Sequence, residues 1–511
     1  MVVAVASGGV TATASEPLRF GTPRGRWTLA ATVLGSGMAA LDATVVNVAL
    51  PRLGQDFDSE FSGLQWVLNG YTLTLASLIL VGGSLGDRYG RRRIFLIGVV
   101  WFALASLLCG AAPTMGVLVV ARMLQGVGGA LLTPGSLAIL QASFHPEDRA
   151  RAIGAWSGLG GVMTAVGPFL GGWLTQAYSW RLIFLLNLPL AVLVLWVTAR
   201  HVPESSDPTV EGRVDVAGAL LGALGLAGTT YGLIEQSWPI GVVGLLTLVV
   251  FVVTEARVAH PMLPPSIFRS KQFSAANVMT FFMYGGLGIV FFLTGLVLQD
   301  AMGYSPLEAG AATLPVTFIM LAFSARAGAL AQRIGPRLPM TLGPLIVAFG
   351  MALMVRIEPG ASYWTVVLPA VLVFGAGLSL TVAPLTATVL AAADARHSGL
   401  ASGVNNAVAR VGQLIAVAAV PLLAGFSAGA VGSPGDLVSG FHRAILMAAT
   451  LVALGGAIAF AFIRNDVLEA EVPATEQRVC DREPTYHCAT DATPLAPHAD
   501  AEAPGSGALS A

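Results

Sequence analysis

The chain has 511 residues, of which 55% are hydrophobic and only 11% charged, with a formal net charge of −1. Water-soluble domains carry about 25% charged residues, so the composition excludes a string of soluble domains and points to a membrane protein. The near-neutral charge provides no electrostatic basis for binding nucleic acid.

Residues 1–26 are small and polar, with Arg19, Arg24 and Arg26 close to the first apolar run. They lack a short apolar core ending in a cleavage site, so the first apolar run is expected to stay in the membrane as a helix. A bilayer-crossing helix needs about 20 mainly apolar residues. Fourteen runs qualify, near 27–50, 64–86, 94–112, 116–140, 151–176, 181–199, 214–235, 239–256, 273–299, 306–331, 338–357, 363–391, 402–428 and 441–463. Beyond residue 465 the chain turns polar and acidic, rich in Pro, Ala, Thr and Ser, as expected of a disordered tail.

Lys and Arg collect on the cytoplasmic side of membrane proteins. Starting the chain in the cytoplasm and alternating leaves only Arg52, Arg181, Arg356 and Arg443 outside, with Arg122 and Arg410 inside spans. The other 21 of the 27 basic residues fall inside. Both termini are therefore expected to be cytoplasmic.

The turn between the second and third spans, GSLGDRYGRRR at 83–93, has a blurred copy, GALAQRIGPRL, at 328–338. Gly83, Leu85, Arg88, Gly90 and Arg92 recur as Gly328, Leu330, Arg333, Gly335 and Arg337, each 245 residues later. The same offset links Arg151 to Arg396, Gly154 to Gly399, Ser157 to Ser402, Gly158 to Gly403 and Gly167 to Gly412. Spans 1–6 and 9–14 thus read as two homologous halves, with spans 7 and 8 inserted. Paired helical repeats about a midplane cavity are the architecture expected of a transporter. The predicted divisions are a cytoplasmic segment at 1–26, a six-helix bundle at 27–199, a linker with two extra helices at 200–260, a second bundle at 261–464 and the tail at 465–511. In the repeated turn, glycines permit a tight bend. Arginines hold it inside and can pair across the gap between halves, while Asp87 can meet a helix N-terminus or an arginine of the other half. The copy carries Gln332 in place of the acid.

Several segments resemble one family. GSLGDRYGRRR resembles the signature between helices 2 and 3 of the major facilitator superfamily. LDATVVNVALP at 41–51, RMLQGVGGALLTP at 122–134, GPFLGG at 167–172, WRLIFLLNLP at 180–189 and LQDAMGYSPLEAGAATLP at 298–315 resemble its fourteen-helix drug:proton antiporters. The resemblance spans about residues 27–465. It implies an all-α integral membrane protein with the major facilitator fold, two six-helix repeats plus two inserted central helices. It further implies a bacterial inner-membrane exporter of lipophilic drugs or antibiotics, driven by the proton gradient with no cofactor. Within the fifth-helix antiporter motif, Gly154, Gly167, Pro168, Gly171 and Gly172 fit, whereas Met163 stands where a glycine is usual.

Asp42 lies deep in the first span, and a charged Asp at mid-bilayer costs roughly 2.5–3.5 kcal/mol on insertion scales. Arg122 in the fourth span is its candidate partner, with Gln125 following on the same helical face. Burial favours a neutral carboxyl and a neighbouring guanidinium favours the anion, so such a pair can bind and release a proton as the balance shifts. The family resemblance assigns proton and cation handling to these two positions. Arg410, the other intramembrane arginine, can meet Asp42, a substrate anion or helix carbonyls. Glu235 and Asp300 are placed at the membrane interface. Gln65, Trp66, Asn69 and Tyr71 in the second span, with Phe281, Phe282 and Tyr284 in the ninth, offer polar and aromatic surface to a lipophilic ligand. The glycine-proline strip at 154–172 lets helices approach closely and seal one side of the cavity. Gating is thereby assigned to Gly83, Asp87, Arg88, Gly90, Arg91, Arg92, Arg333, Gly335 and the strip.

No phosphate loop of the form GxxxxGK[ST] occurs, Lys271 is the single lysine, and the seven histidines show no zinc spacing. Cys109 reads as a small buried side chain, and Cys480 and Cys488 as incidental thiols. Neither an enzyme nor a metal protein is expected; the partners are a small lipophilic substrate, protons and lipid. The sequence leaves the oligomeric state open, and a monomer is compatible with it. The alternative on the same scaffold is a uniporter or proton symporter of a small metabolite.

Overall fold

The computed structural model describes residues 17–207, 214–393, 398–426 and 434–468. Arg213, Arg396 and the tail from Glu469, including Cys480 and Cys488, lie outside the described residues. Among the described residues, fourteen helices are long and apolar enough to cross a membrane. They are α1 Pro23–Phe57, α2 Phe61–Tyr89, α3 Arg91–Ala111, α4 Met115–Ser143, α5 Pro146–Ala177, α6 Arg181–His201, α7 Val216–Ile234 and α8 Trp238–Glu255. After the insertion come α9 Lys271–Ala301, α10 Pro306–Ile334, α11 Arg337–Arg356, α12 Tyr363–Ala391, α13 Gly399–Leu423 and α14 Gly435–Phe462. Among the described residues there is no β-structure beyond a single bridge between Leu18 and Phe144. Each apolar run of the sequence has become one helix, with ends displaced by a few residues. α1, for example, runs on to Phe57 and stops at Asp58, whose φ of 45° is left-handed.

Small residues set the packing inside each half. A Cβ on Gly98 of α3 would come within 2.8 Å of the Leu132 backbone of α4. Its repeat counterpart, Gly343 of α11, lies against Gly377 and Thr381 of α12. Gly167 seats α5 on α1 at Leu41 and Thr44, and its counterpart Gly412 seats α13 on α9 at the Phe281 carbonyl. The repeat read from the sequence is thus a repeat of helix contacts.

The two arginine-rich turns have matching geometry as well. Gly90 has φ 106° and Gly335 has φ 84°, backbone that residues with a Cβ rarely adopt. Beyond each glycine a side chain from just past the sixth helix of the same half caps the next helix. Glu204 accepts from the Arg92 and Arg93 amides at 3.0 and 3.2 Å, and Asn465 Oδ1 accepts from the Arg337 amide at 3.2 Å. Arg92 donates to the Val202 carbonyl at 3.1 Å, and Arg337 to the Phe460 carbonyl at 2.8 Å. Asp87 pairs with Arg91 one turn on, at 2.7 Å. Arg88 is half-buried with an unpartnered Nε, Arg333 is exposed, and Gly83 lies beside Pro134 of α4. Among the described residues, the bonds of these turns stay within their own halves.

The halves meet at the end of the bundle opposite these turns. There one apolar core mixes both halves, with Leu41, Leu50, Leu64 and Phe184 packed among residues such as Phe292, Phe374 and Phe441. Gln299 of α9 donates to the Val48 carbonyl of α1 at 2.9 Å, Gln65 of α2 donates to the Val417 carbonyl of α13 at 2.7 Å, and Phe61 stacks on Phe426. Gly172 and Pro168 of α5 interlock with Pro306 and Gly310 of α10. Toward the arginine-rich end the core divides. A cluster around Phe95 and Phe102 belongs to the first half and another around Phe273 and Met340 to the second, with Leu80 and Ala407 as partly buried links.

The face of α5 that carries Gly172 continues at helical spacing through Gly161, Gly158 and Gly154, where an added Cβ would meet nothing within 4 Å. The strip is closed at one end and open at the other. In a cysteine-free background, Cys at 154, 158 or 161 is expected to react rapidly with a maleimide applied from the arginine-rich side, and Cys at 172 slowly. Equal rates at all four positions would contradict this arrangement.

Candidate functional site

The polar centre of the first half is assembled from five helices. α1 supplies Asp42, α3 Ser106, α4 Arg122 and Gln125, α6 Asn187, and α2 the Val67 carbonyl and Tyr71. Asp42 and Gln125 are 0% exposed and Arg122 is 1% exposed, so water has no access to this charge pair. Arg122 and Gln125 are three residues apart and project from one face of α4. Asn187 follows a break in the hydrogen bonding of α6 at Leu186, whose backbone stays helical, between segments Arg181–Leu185 and Asn187–His201. Pro189 lacks the N–H that would bond the Leu185 carbonyl, which accounts for the break.

Asp42 Oδ2 accepts from Arg122 Nη1 at 2.5 Å. Its Oδ1 accepts from Gln125 Nε2 at 2.8 Å and from Asn187 Nδ2 at 2.9 Å. Arg122 also donates to Gln125 Oε1 at 2.6 Å and, through Nε, to the Val67 carbonyl at 3.1 Å. Its guanidinium lies 4.4 Å from the centre of the Tyr71 ring and 5.8 Å from that of Phe184. Ser106 Oγ accepts from both amides, Gln125 at 2.8 Å and Asn187 at 3.2 Å. A buried ion pair persists only where the remaining donors and acceptors are also met. Here that condition is nearly complete; Asn187 Oδ1 alone in this group is buried without a donor.

The structure brings together Asp42, Arg122, Gln125 and Tyr71 and separates them from the other sequence candidates. Gln65 is used in the α2–α13 contact. Trp66 donates to Glu235 Oε1 at 2.7 Å and lies beside Tyr231, which docks the inserted helix α7 on α2. Asn69 is buried with no acceptor for Nδ2. Phe281 and Phe282 stand edge to face on α9, Tyr284 is half-buried on the same helix, and Asp300 is half-buried in its last turn. Arg410 does not reach Asp42; its hydrogen bond runs to Gln413 Oε1 at 3.5 Å. Sequence reasoning missed Ser106 and Asn187. Asn187 lay in a motif noted only for its resemblance, and a polar residue flanked by leucines two positions before a proline was the available signal. Among the described residues no cluster suited to a metal ion occurs.

Two related six-helix bundles, joined at one end, parted at the other and enclosing a buried ion pair, define a membrane transporter. The chain belongs to the Major Facilitator Superfamily, whose model matches residues 32–417. It is 36% identical to the multidrug resistance protein Stp of Mycobacterium tuberculosis, across 77% of this chain and 74% of that protein. It is 37% identical to the puromycin resistance protein pur8 of Streptomyces alboniger, across 78% and 81%. Identity to the tetracenomycin C resistance and export protein of Streptomyces glaucescens is 34%, across 81% and 78%. Among solved structures, a peptide transporter POT in complex with sulfate superposes with a TM-score of 0.66 at 15% identity, covering 89% of this chain and 98% of that one. A D-xylose–proton symporter superposes with a TM-score of 0.63 at 17% identity, covering 87% and 99%. These two likenesses show the fold.

Asn187→Ala is expected to destabilise the protein by about 1.5–3 kcal/mol, the range for a hydrogen bond to a charged group. Arg122→Met, which leaves Asp42 buried and unpaired, is expected to cost about 3–5 kcal/mol. Thermal unfolding of the detergent-solubilised protein, with reversibility checked, reads both.

Proposed function

We propose that this protein is a proton-coupled exporter of lipophilic compounds, working by alternating access in a bacterial inner membrane with its termini and arginine-rich turns in the cytoplasm. The orientation is supported by the distribution of arginines, since only Arg52, Arg181, Arg356 and Arg443 fall on the opposite side. On that orientation the structure is the inward-facing form, sealed outside and parted inside. Export is favoured over import by the drug-resistance relatives, which match this chain far more closely in sequence than the symporter does.

The observation that carries the proton step is the wholly buried carboxylate of Asp42, shared by three donors. Adding a proton removes the charge that holds Arg122 and turns one carboxyl oxygen into a donor. Asn187 Oδ1, which has no donor in this structure, becomes its acceptor once the amide turns over. Two and three residues beyond Asp42, Thr44 and Val45 receive Gly167 and Gly171 of α5. A shift of α1 on protonation is thereby passed to the helix whose glycine face closes or opens between the halves.

Expression in a host lacking its own pumps is expected to lower accumulation of lipophilic antibiotics, with recovery when the proton gradient is collapsed. Asp42→Asn is expected to fold and to move substrate down its own gradient in proteoliposomes, without response to an imposed pH gradient. Proton-driven transport at the normal rate in that variant would refute the coupling role, and loss of both activities would make the pair a structural bridge only.

A further inference from the structure

The second half offers a central surface whose charge is unbalanced. Along α13, Ser402, Asn406, Arg410 and Gln413 recur at spacings of four, four and three residues and share one face. Asn406 is exposed, and the other three keep part of their surface open. The same face is turned toward the first half. Gly403, two turns before Arg410, packs on Leu80 of α2, and Val417, two turns after it, accepts the hydrogen bond from Gln65 of α2. A polar stripe that runs through a membrane helix and faces inward marks a watered cavity.

Arg410 is the charge of that stripe. Among the described residues it is in no ion pair, and its hydrogen bond stays on its own helix at Gln413. The acid of the first half is fully engaged by Arg122, Gln125 and Asn187 and is shut away from the cavity. Tyr71 and Tyr284 lie on α2 and α9, the helices against which α13 packs. A second unmet donor sits on the facing helix: Asn69, one turn inward from Gln65, is 1% exposed, and its Nδ2 has no acceptor. Since α2 and α13 run antiparallel, one turn inward from the Gln65–Val417 bond brings Asn69 level with Gln413, and a further turn reaches Arg410. The stripe therefore presents a positive charge, with the unmet Asn69 donor buried on the facing helix and no free carboxylate among these groups.

We propose that Arg410, with the amide of Asn69, forms the head-group subsite for cargo, and that the cargo is a lipophilic compound bearing an anionic oxygen group, such as a carboxylate or phenolate, and not a lipophilic cation. This rests on the export reading and adds the substrate class to it. The planar guanidinium suits a two-oxygen acceptor, and Phe281, Phe282 and Tyr284 of the neighbouring α9 suit a flat apolar body.

Two anthraquinones sharing one ring system provide the test, one with a 2-sulfonate and the other with a quaternary ammonium group. Both are permanently charged, so neither crosses lipid as a neutral form. In proteoliposomes with an imposed proton gradient, the wild-type protein is expected to move the sulfonate and not the ammonium compound. R410Q is expected to lower sulfonate transport at least about tenfold, while R410K keeps an intermediate rate through its charge. Each variant is first checked for a monodisperse elution profile; if R410Q does not fold, N69L supplies the loss of sulfonate transport. Preference for the ammonium compound, or sulfonate transport unchanged in R410Q or its substitute, overturns the assignment while leaving proton-driven export standing. If neither compound moves, the export reading fails together with this one.

Discussion

A carboxylate and a guanidinium sit against each other inside the first half, closed off from water on every side, and the arrangement of that half follows from keeping them there. Desolvating two charges is expensive, and the attraction between them offsets the cost only when the remaining lone pairs and N–H groups are also met. Five helices therefore converge on one point. α4 brings Arg122 and Gln125 on one face, α3 brings Ser106, α2 brings a carbonyl and an aromatic face, and the proline-broken α6 brings Asn187 to the carboxylate. The Coulomb energy of such a pair changes by many times the thermal energy when the acid gains a proton. On the proposed reading, the centre that ties the helices together is thus also the one a single proton disturbs.

That centre lies close to the mechanical seam. α1 carries Asp42 and, within a turn, the surface on which Gly167 and Gly171 of α5 ride. Further along, α5 locks onto α10 through Gly172 and Pro168, and in the other direction its glycine face runs free. Small residues let two helix backbones approach closely, and the free part of the same face leaves room for another helix to pack there. The arginine-rich turns have a complementary task. They cap α3 and α11 from the ends of α6 and α14 and so tie the third and sixth helices of each half together.

The two halves share helix contacts but have diverged in charge. The first buries an acid with its base, whereas the second leaves Arg410 partly open and bonded to Gln413 on its own helix. On the proposed reading, this divergence divides coupling from recognition between the bundles.

Much of this was legible without coordinates, for a physical reason. The bilayer demands about 20 apolar residues per crossing, so the number and order of helices are written into the chain as runs of composition. Duplication is visible as a constant offset of 245 residues, and Gly90 and Gly335 recur because their turns need left-handed backbone. Asp42 and Arg122 stand out because charge inside a membrane span demands a partner. What the tertiary structure alone decided depends on which faces meet. Ser106 and Asn187 belong to the Asp42 centre because a broken helix and a neighbouring one bring them there, and no spacing in the chain encodes that. The arginines of the turns bind within their own halves, although their composition equally allowed a bridge across the gap. The isolation of Arg410 from Asp42, and the separation of α5 and α10 toward one end only, follow from how two rigid bundles lean on each other, a relation between distant surfaces that local sequence does not specify.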